Sequence, residues 1–165
     1  MYREVTIDND KDFLLLFWKD EQRSVKWYRE SNETDDCTDE TFINFCNRHR
    51  IFAINESALL YTQEVEPQII MLHFSVLRRT KDDLTEDLMQ IRNQLFREGA
   101  KIIFGWVLKH NRGLKKICVD LGLRFNGTTS EMEREGKKPF IRECYVISRE
   151  SLFTFKDSRC LLLSN

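Results

Sequence analysis

The sequence predicts an α/β fold whose elements follow the order β-α-α-β-β-β-α-β-α-β-β, and three observations carry that prediction. Two strongly apolar runs, QIIMLHFSV and KIIFGWVLK, read as buried strands. DDLTEDLMQIRNQLFREGA and RGLKKICVDLG, each following one of those runs, repeat apolar residues at helical spacing. Short strand-like runs elsewhere are separated by Asn, Pro and Gly breaks.

Element by element, YREVTI reads as a first strand. Asp10 precedes KDFLLLFWKDEQRSVKWYRE, where apolar residues cluster between charges, as in a helix with an Asp cap. The acidic ESNETDDCTDE reads as a solvated loop. It runs through Thr38, a cap for DETFINFCNRHR, in which Phe42, Phe45, Cys46 and His49 recur at helical spacing. IFAINES, ALLYTQEVE and QIIMLHFSVLRR follow as an antiparallel meander, broken at Asn55 and Pro67. In the last of these, Leu72, Phe74 and Val76 alternate with Met71, His73 and Ser75. Both faces are largely apolar, as in a central strand covered on both sides. Leu84, Leu88, Ile91 and Leu95 form one stripe of the next helix, and Gly99 stands where a C-cap belongs. Gly105 marks a bulge or a close backbone approach. Asn111 caps the last helix, whose apolar face is Leu114, Ile117, Cys118 and Leu121. LRFNGTTSEMERE and FIRECYVIS close the order as strands.

A chain of 165 residues suits one domain, expected over 1–150, followed by an apolar tail over 151–165. A net charge of −1 gives no overall field to attract nucleic acid or an anionic membrane. The basic clusters are interleaved with acids and lack an aromatic platform for bases. Cys37, Cys46, Cys118, Cys144 and Cys160 are scattered and contain no Cys-x-x-Cys pair, which argues against a disulfide framework and against a zinc site. No apolar run approaches the ~20 residues that span a bilayer, and no signal core opens the chain. The expectation is a reduced, cytoplasmic protein. In the tail, Phe153, Phe155 and Leu161 to Leu163 are too apolar to stay in water. They either pack back on the domain or bind a partner, another protein or a second copy.

Residues 76–125 resemble the GNAT superfamily of N-acyltransferases. Asn111, Leu114, Ile117, Cys118, Gly122 and Leu123 fall at the family's intervals, as do Val76, Arg78, Arg79, Leu88 and Gly99 upstream. The element order extends the resemblance over nearly the whole chain. On the same region the chain is similar to short phage-encoded GNAT-like proteins, which would place it in a host cell or virion. The resemblance implies a mixed, splayed sheet with helices on both faces, and transfer of an acetyl group from acetyl-CoA to an amine. Val76, Arg78, Arg79, Lys81 and Asn111 would hold the donor.

One segment departs from the family. Where members read Gln/Arg-x-x-Gly-x-Gly/Ala, so that glycine backbone and a helix N-terminus can cradle the pyrophosphate, this chain reads RRTKDDLTED. Arg79 keeps the first position. The glycines become Asp82 and Leu84, or Asp83 and Thr85 in the neighbouring register. Asp83 and Glu86 fit a capping box for the helix that follows. A carboxylate beside a phosphate costs on the order of several kcal/mol at an effective dielectric of about 20 before nearby cations offset it.

Among reacting groups, Cys118 stands where the resemblance implies a tyrosine acid, and Tyr145 on the last strand is the substitute. His73 is the candidate base, since an ordinary histidine titrates near neutrality. A core histidine bonded to a carbonyl, and a cysteine that merely packs, remain the plain alternatives. The basic run Lys109, His110, Arg112, Lys115 and Lys116 either flanks the donor, meets an acidic partner or faces water. Glu131, Glu133 and Glu135 either attract a cationic substrate or mark a solvent face. Two functions follow: an N-acetyltransferase, or a catalytically inactive interaction or structural protein on the same fold.

Overall fold

The computed structural model describes residues 1–20, 38–76, 83–131 and 140–151. Their elements are β1 (Tyr2–Val5), α1 (Ile7–Asp20), α2 (Asp39–Cys46), β2 (Arg50–Ile54), β3 (Ala58–Glu66), β4 (Ile69–Val76), α3 (Thr85–Arg97), β5 (Ile102–Leu108), α4 (Arg112–Asp120), β6 (Arg124–Glu131) and β7 (Phe140–Ser148). This is the expected order. The strands form one sheet, β1-β2-β3-β4-β5-β7-β6. It is mixed: β4 and β5 run parallel, while β1–β2, β2–β3, β5–β7 and β6–β7 are antiparallel. The chain divides into two compact units, Met1–Gln63 with His73–Leu84, and Glu64–Leu72 with Thr85–Asn165.

In the first unit, α1 and α2 supply aromatic residues to a core with β2 and β3. Leu14, Phe17, Trp18, Phe42, Phe45, Ile51, Ala53, Leu59 and Tyr61 are all buried there. Trp18 stacks on Phe42 at 4.5 Å and Phe45 meets Tyr61 edge-on at 5.3 Å, both favoured geometries for ring quadrupoles. Thr38 caps α2 as expected. Its hydroxyl accepts from the Thr41 N–H at 3.2 Å, and the Thr41 hydroxyl accepts from the Thr38 N–H at 3.0 Å. The helix ends at Cys46, before His49, yet His49 keeps its helical relation to Phe45: the rings stack at 3.9 Å and Nδ1 lies 2.7 Å from the Phe45 carbonyl.

Asp10 corrects the expected start of α1. The helix begins at Ile7 and kinks at Asp10, whose φ of −129° and ψ of 23° are not helical. Arg3 of β1 grips its carboxylate, which also accepts from the Thr6 N–H at 3.1 Å, and the Arg3 hydrogen bond holds its pKa below the usual carboxylate value. The expected continuation of this helix to 30, and the acidic loop as far as 37, lie outside the described residues, as do the segments 77–82 and 132–139 and the tail from 152.

The β2–β3 turn has positive φ at both Asn55 and Glu56, the mark of a type I′ hairpin, closed by the Ser57 N–H to the Ile54 carbonyl. After Glu66, Pro67 precedes Gln68 at φ 68°, a type II arrangement. β4 is central, as its alternation predicts, but each of its residues is only half-buried rather than covered on both sides. Its ladder with β5 runs from Ile69 to Leu72.

In the second unit, Leu88, Ile91 and Leu95 bury the stripe of α3. Both helices here end in the same way. The Ala100 N–H bonds the Leu95 carbonyl and the Gly99 N–H that of Phe96; the Leu123 N–H bonds that of Cys118 and the Gly122 N–H that of Val119. These are Schellman closures, and positive φ at Gly99 and Gly122 permits them. Arg92 of α3 is 7% exposed, and its guanidinium donates to the Leu121 carbonyl at the end of α4. That places a cation at the negative end of a helix.

Gly105 is a close approach, not a bulge. A Cβ there would stand 3.3 Å from the Leu72 carbonyl oxygen. The bulge lies in β6, between Phe125 and Gly127. We expect Gly105→Ala to destabilise the protein by about 1–3 kcal/mol through overpacking, and Thr38→Ala by about 1 kcal/mol through the lost cap. Urea midpoints measure both, and an unchanged midpoint for Gly105→Ala would show that the β4–β5 seam can yield.

Candidate active site

In the ladder between β5 and β7, Gly105 faces Tyr145 and Val107 faces Glu143. Glu143 and Tyr145 are two apart on a strand and so point to one side of the sheet. Neighbouring Ile103 and Val107 are buried at 0% and 1% exposure, so this side is a packed one. Helix α4 contributes from the same unit. Asn111 starts it by accepting from the Leu114 N–H at 3.1 Å, and Lys115 and Cys118 lie one turn apart on it.

These elements meet at one atom. Glu143 Oε2 accepts from the Tyr145 hydroxyl at 3.1 Å and pairs with Lys115 Nζ at 2.7 Å. Phe125 of β6, 57% exposed, stands opposite Tyr145 with its ring edge-on at 6.1 Å.

The Lys115 hydrogen bond holds Glu143 below the usual carboxylate range, and burial opposes it; the Tyr145 hydrogen bond and the charges of Lys115 and Lys109 add to the lowering. Burial pushes the Tyr145 phenol up, and the hydrogen bond and charge of Glu143, with nearby Cys118, push it further. Side chains immediately around them cover Glu143 and Tyr145, at 9% and 7% exposure, but both sit at shallow depth, where water still screens charge. Cys118 is buried and its thiol is pushed up to about 11, first by burial and then by Cys144. It stays a neutral thiol at ordinary pH.

Tyr145 and Cys118 lie in the same unit, near enough for Cys118 to add to the rise of the phenol's pKa. Asn111 serves as a helix cap. His73 and Val76 belong to the first unit and are half-buried on β4. His73 meets the ring of His49 edge-on at 6.0 Å, and burial, above all, lowers the His49 pKa. Arg78, Arg79 and Lys81 lie outside the described residues, and Asp83, just before α3, is exposed. Within the basic run, Lys115 pairs with Glu143 and Lys116 with Asp120. Sequence reasoning missed Glu143. Its signal is a polar pair, Glu143 and Tyr145, at alternate positions on the side of the strand that also carries Ile141 and Ile147. Among the described residues no His, Cys, Asp and Glu cluster could hold a metal, and no helix is long and apolar enough to cross a membrane.

No protein-family model and no curated protein matches the chain. Its structure is similar to the N-acetyltransferase from Staphylococcus aureus Mu50, with a TM-score of 0.67 at 14% identity over 90% of this chain and 97% of that one. It is also similar to the acetyltransferase of the GNAT family from Streptococcus pneumoniae, with a TM-score of 0.64 at 15% identity over 90% and 98%. The Bacillus subtilis acetyltransferase in complex with CoA matches at a TM-score of 0.52 and 10% identity over 68% and 85%. The fold is that of the GNAT acetyltransferases, as residues 76–125 implied. The phage likeness has no counterpart in these three.

The Lys115–Glu143 pair generates a pH prediction. Because the folded pKa of Glu143 is lowered, its stabilisation is complete above the unfolded value of 4.5 and is lost as pH falls through the folded value. Lys115→Met removes the largest cause of that lowering. The gap in thermal midpoint between wild type and Lys115→Met at pH 7 should close as pH drops below 4.5. A gap independent of pH would mean that the ion pair contributes nothing.

Proposed function

We propose that this chain transfers an acetyl group from acetyl-CoA to an amine. The observation that most supports this is the match to acetyltransferases along nine-tenths of the chain, and the relative from Bacillus subtilis is in complex with CoA. In the reaction the amine nitrogen attacks the thioester carbonyl. The C–N bond forms, the C–S bond breaks, and CoA leaves as a thiolate while the nitrogen loses a proton. His73 or a water takes that proton. Val76, Arg78, Arg79 and Lys81 bind the donor, the cations facing its phosphates. Cys118, pushed up to about 11, and Tyr145, also raised, hold their protons more tightly than an ordinary thiol near ~8.5. Both are still far stronger acids than water, so Cys118 or Tyr145 supplies the proton to the departing sulfur.

A second reading is a catalytically inactive interaction protein on this fold. It is favoured by the carboxylates Asp82 and Asp83 before α3, where the resemblance implies glycine, and by the apolar tail over 151–165. A thermal melt with millimolar acetyl-CoA separates the two. At a hundredfold the dissociation constant, binding stabilises by about 2.7 kcal/mol, a rise of roughly 5–10 °C for this size. The expected result is that rise, with release of free CoA thiol when amines are added. No rise and no thiol release would leave the interaction reading in its place.

A further inference from the structure

One carboxylate oxygen, Glu143 Oε2, takes hydrogen bonds from the Tyr145 hydroxyl at 3.1 Å and from Lys115 at 2.7 Å. A phenol has one proton and, on the same oxygen, acceptor lone pairs. An ionised carboxylate can only accept. The proton of Tyr145 must therefore point to Glu143, and whatever else approaches the phenol oxygen meets its lone pairs. Lys115 keeps this arrangement in place, since its ammonium stabilises the charged form of Glu143.

We propose that Glu143 is a positioning residue that fixes Tyr145 as a hydrogen-bond acceptor, so that the group recognised at Tyr145 is an N–H donor. If the acyl-transfer reading above holds, that donor is the nitrogen of the acyl acceptor, and Tyr145 orients it rather than protonating sulfur. The recognised group is a neutral N–H in preference to a polycation, because the charge of Glu143 is already balanced by Lys115, with Lys109 adding positive charge nearby. Cys118 of α4 stays a thiol, and Phe125 of β6 presents a ring edge. Phe125 and Ile141, exposed at 57% and 38%, share this side of the sheet and give the approach an apolar margin suited to an amine with an apolar body.

The test is a titration of the full chain carrying tyrosine labelled at the ring carbon that bears the hydroxyl. Loss of one of the four tyrosine signals in Tyr145→Phe identifies Tyr145. The expected result is titration above the ordinary phenol value of ~10, a downward move in Glu143→Gln and a further upward move in Lys115→Met. Glu143→Gln removes the charge, and its amide can donate to the phenol and turn the proton outward. A Tyr145 signal that neither substitution moves would overturn the proposal. Kinetics then reads the role. Tyr145→Phe should raise KM for the amine about 2- to 10-fold, one hydrogen bond's worth, with kcat nearly unchanged. A lower kcat at unchanged KM would make Tyr145 a proton donor and sink the idea. If wild type acetylates no amine, the acyl-transfer reading has failed instead, and the titration alone decides the polarity of Tyr145.

Discussion

Four residue pairs, Ile69–Leu72 against Ile102–Gly105, make the parallel seam of the sheet. Parallel backbones must approach to about 4.8 Å for such a ladder. At its last pair even a methyl group on Gly105 would press on the Leu72 carbonyl oxygen, 3.3 Å away. Gly105 therefore leaves the seam closed with no slack for a side chain. The same residue faces Tyr145 across the antiparallel ladder with β7. Strand β5 thus transmits one steric requirement in two directions, to the central strand on one side and to the candidate site on the other.

The chemistry of that site depends less on which groups are present than on how one proton is directed. Tyrosine, glutamate and lysine in contact could serve an acid, a base or a plain structural bond. The shared oxygen of Glu143 removes the ambiguity, because a charged acceptor held by Lys115 leaves the phenol one orientation. Cys118, where the resemblance implies a tyrosine, is a buried free thiol and packs as a small apolar group.

Local chemistry was what the sequence disclosed best. Thr38, Asn111 and Gly99 act within a turn or two of their own position, so their side chains or backbone freedom announce the helix ends. The element order was legible for a related reason: periodicity is written along the chain. Asp10 shows the limit. Its capping chemistry was visible, but its ion pair with Arg3 of a neighbouring strand was not. Gly105 left two possibilities, and only the proximity of Leu72 decides between them. Glu143 and Lys115 lie on different elements, and no local pattern couples them. The sequence placed Lys115 in a basic run and could not show that β7 supplies its counter-charge.

Arg92 has a wider reach than its place beneath the surface suggests. Helix α4 takes its local start from Asn111, while its finish is moored to a neighbouring helix by the Arg92 guanidinium on the Leu121 carbonyl. Lys115 and Cys118 ride on the turns before that mooring. A shorter side chain at Arg92 would loosen it and let the end of the helix drift. The ammonium of Lys115 would then swing off Glu143 although nothing near it had been altered.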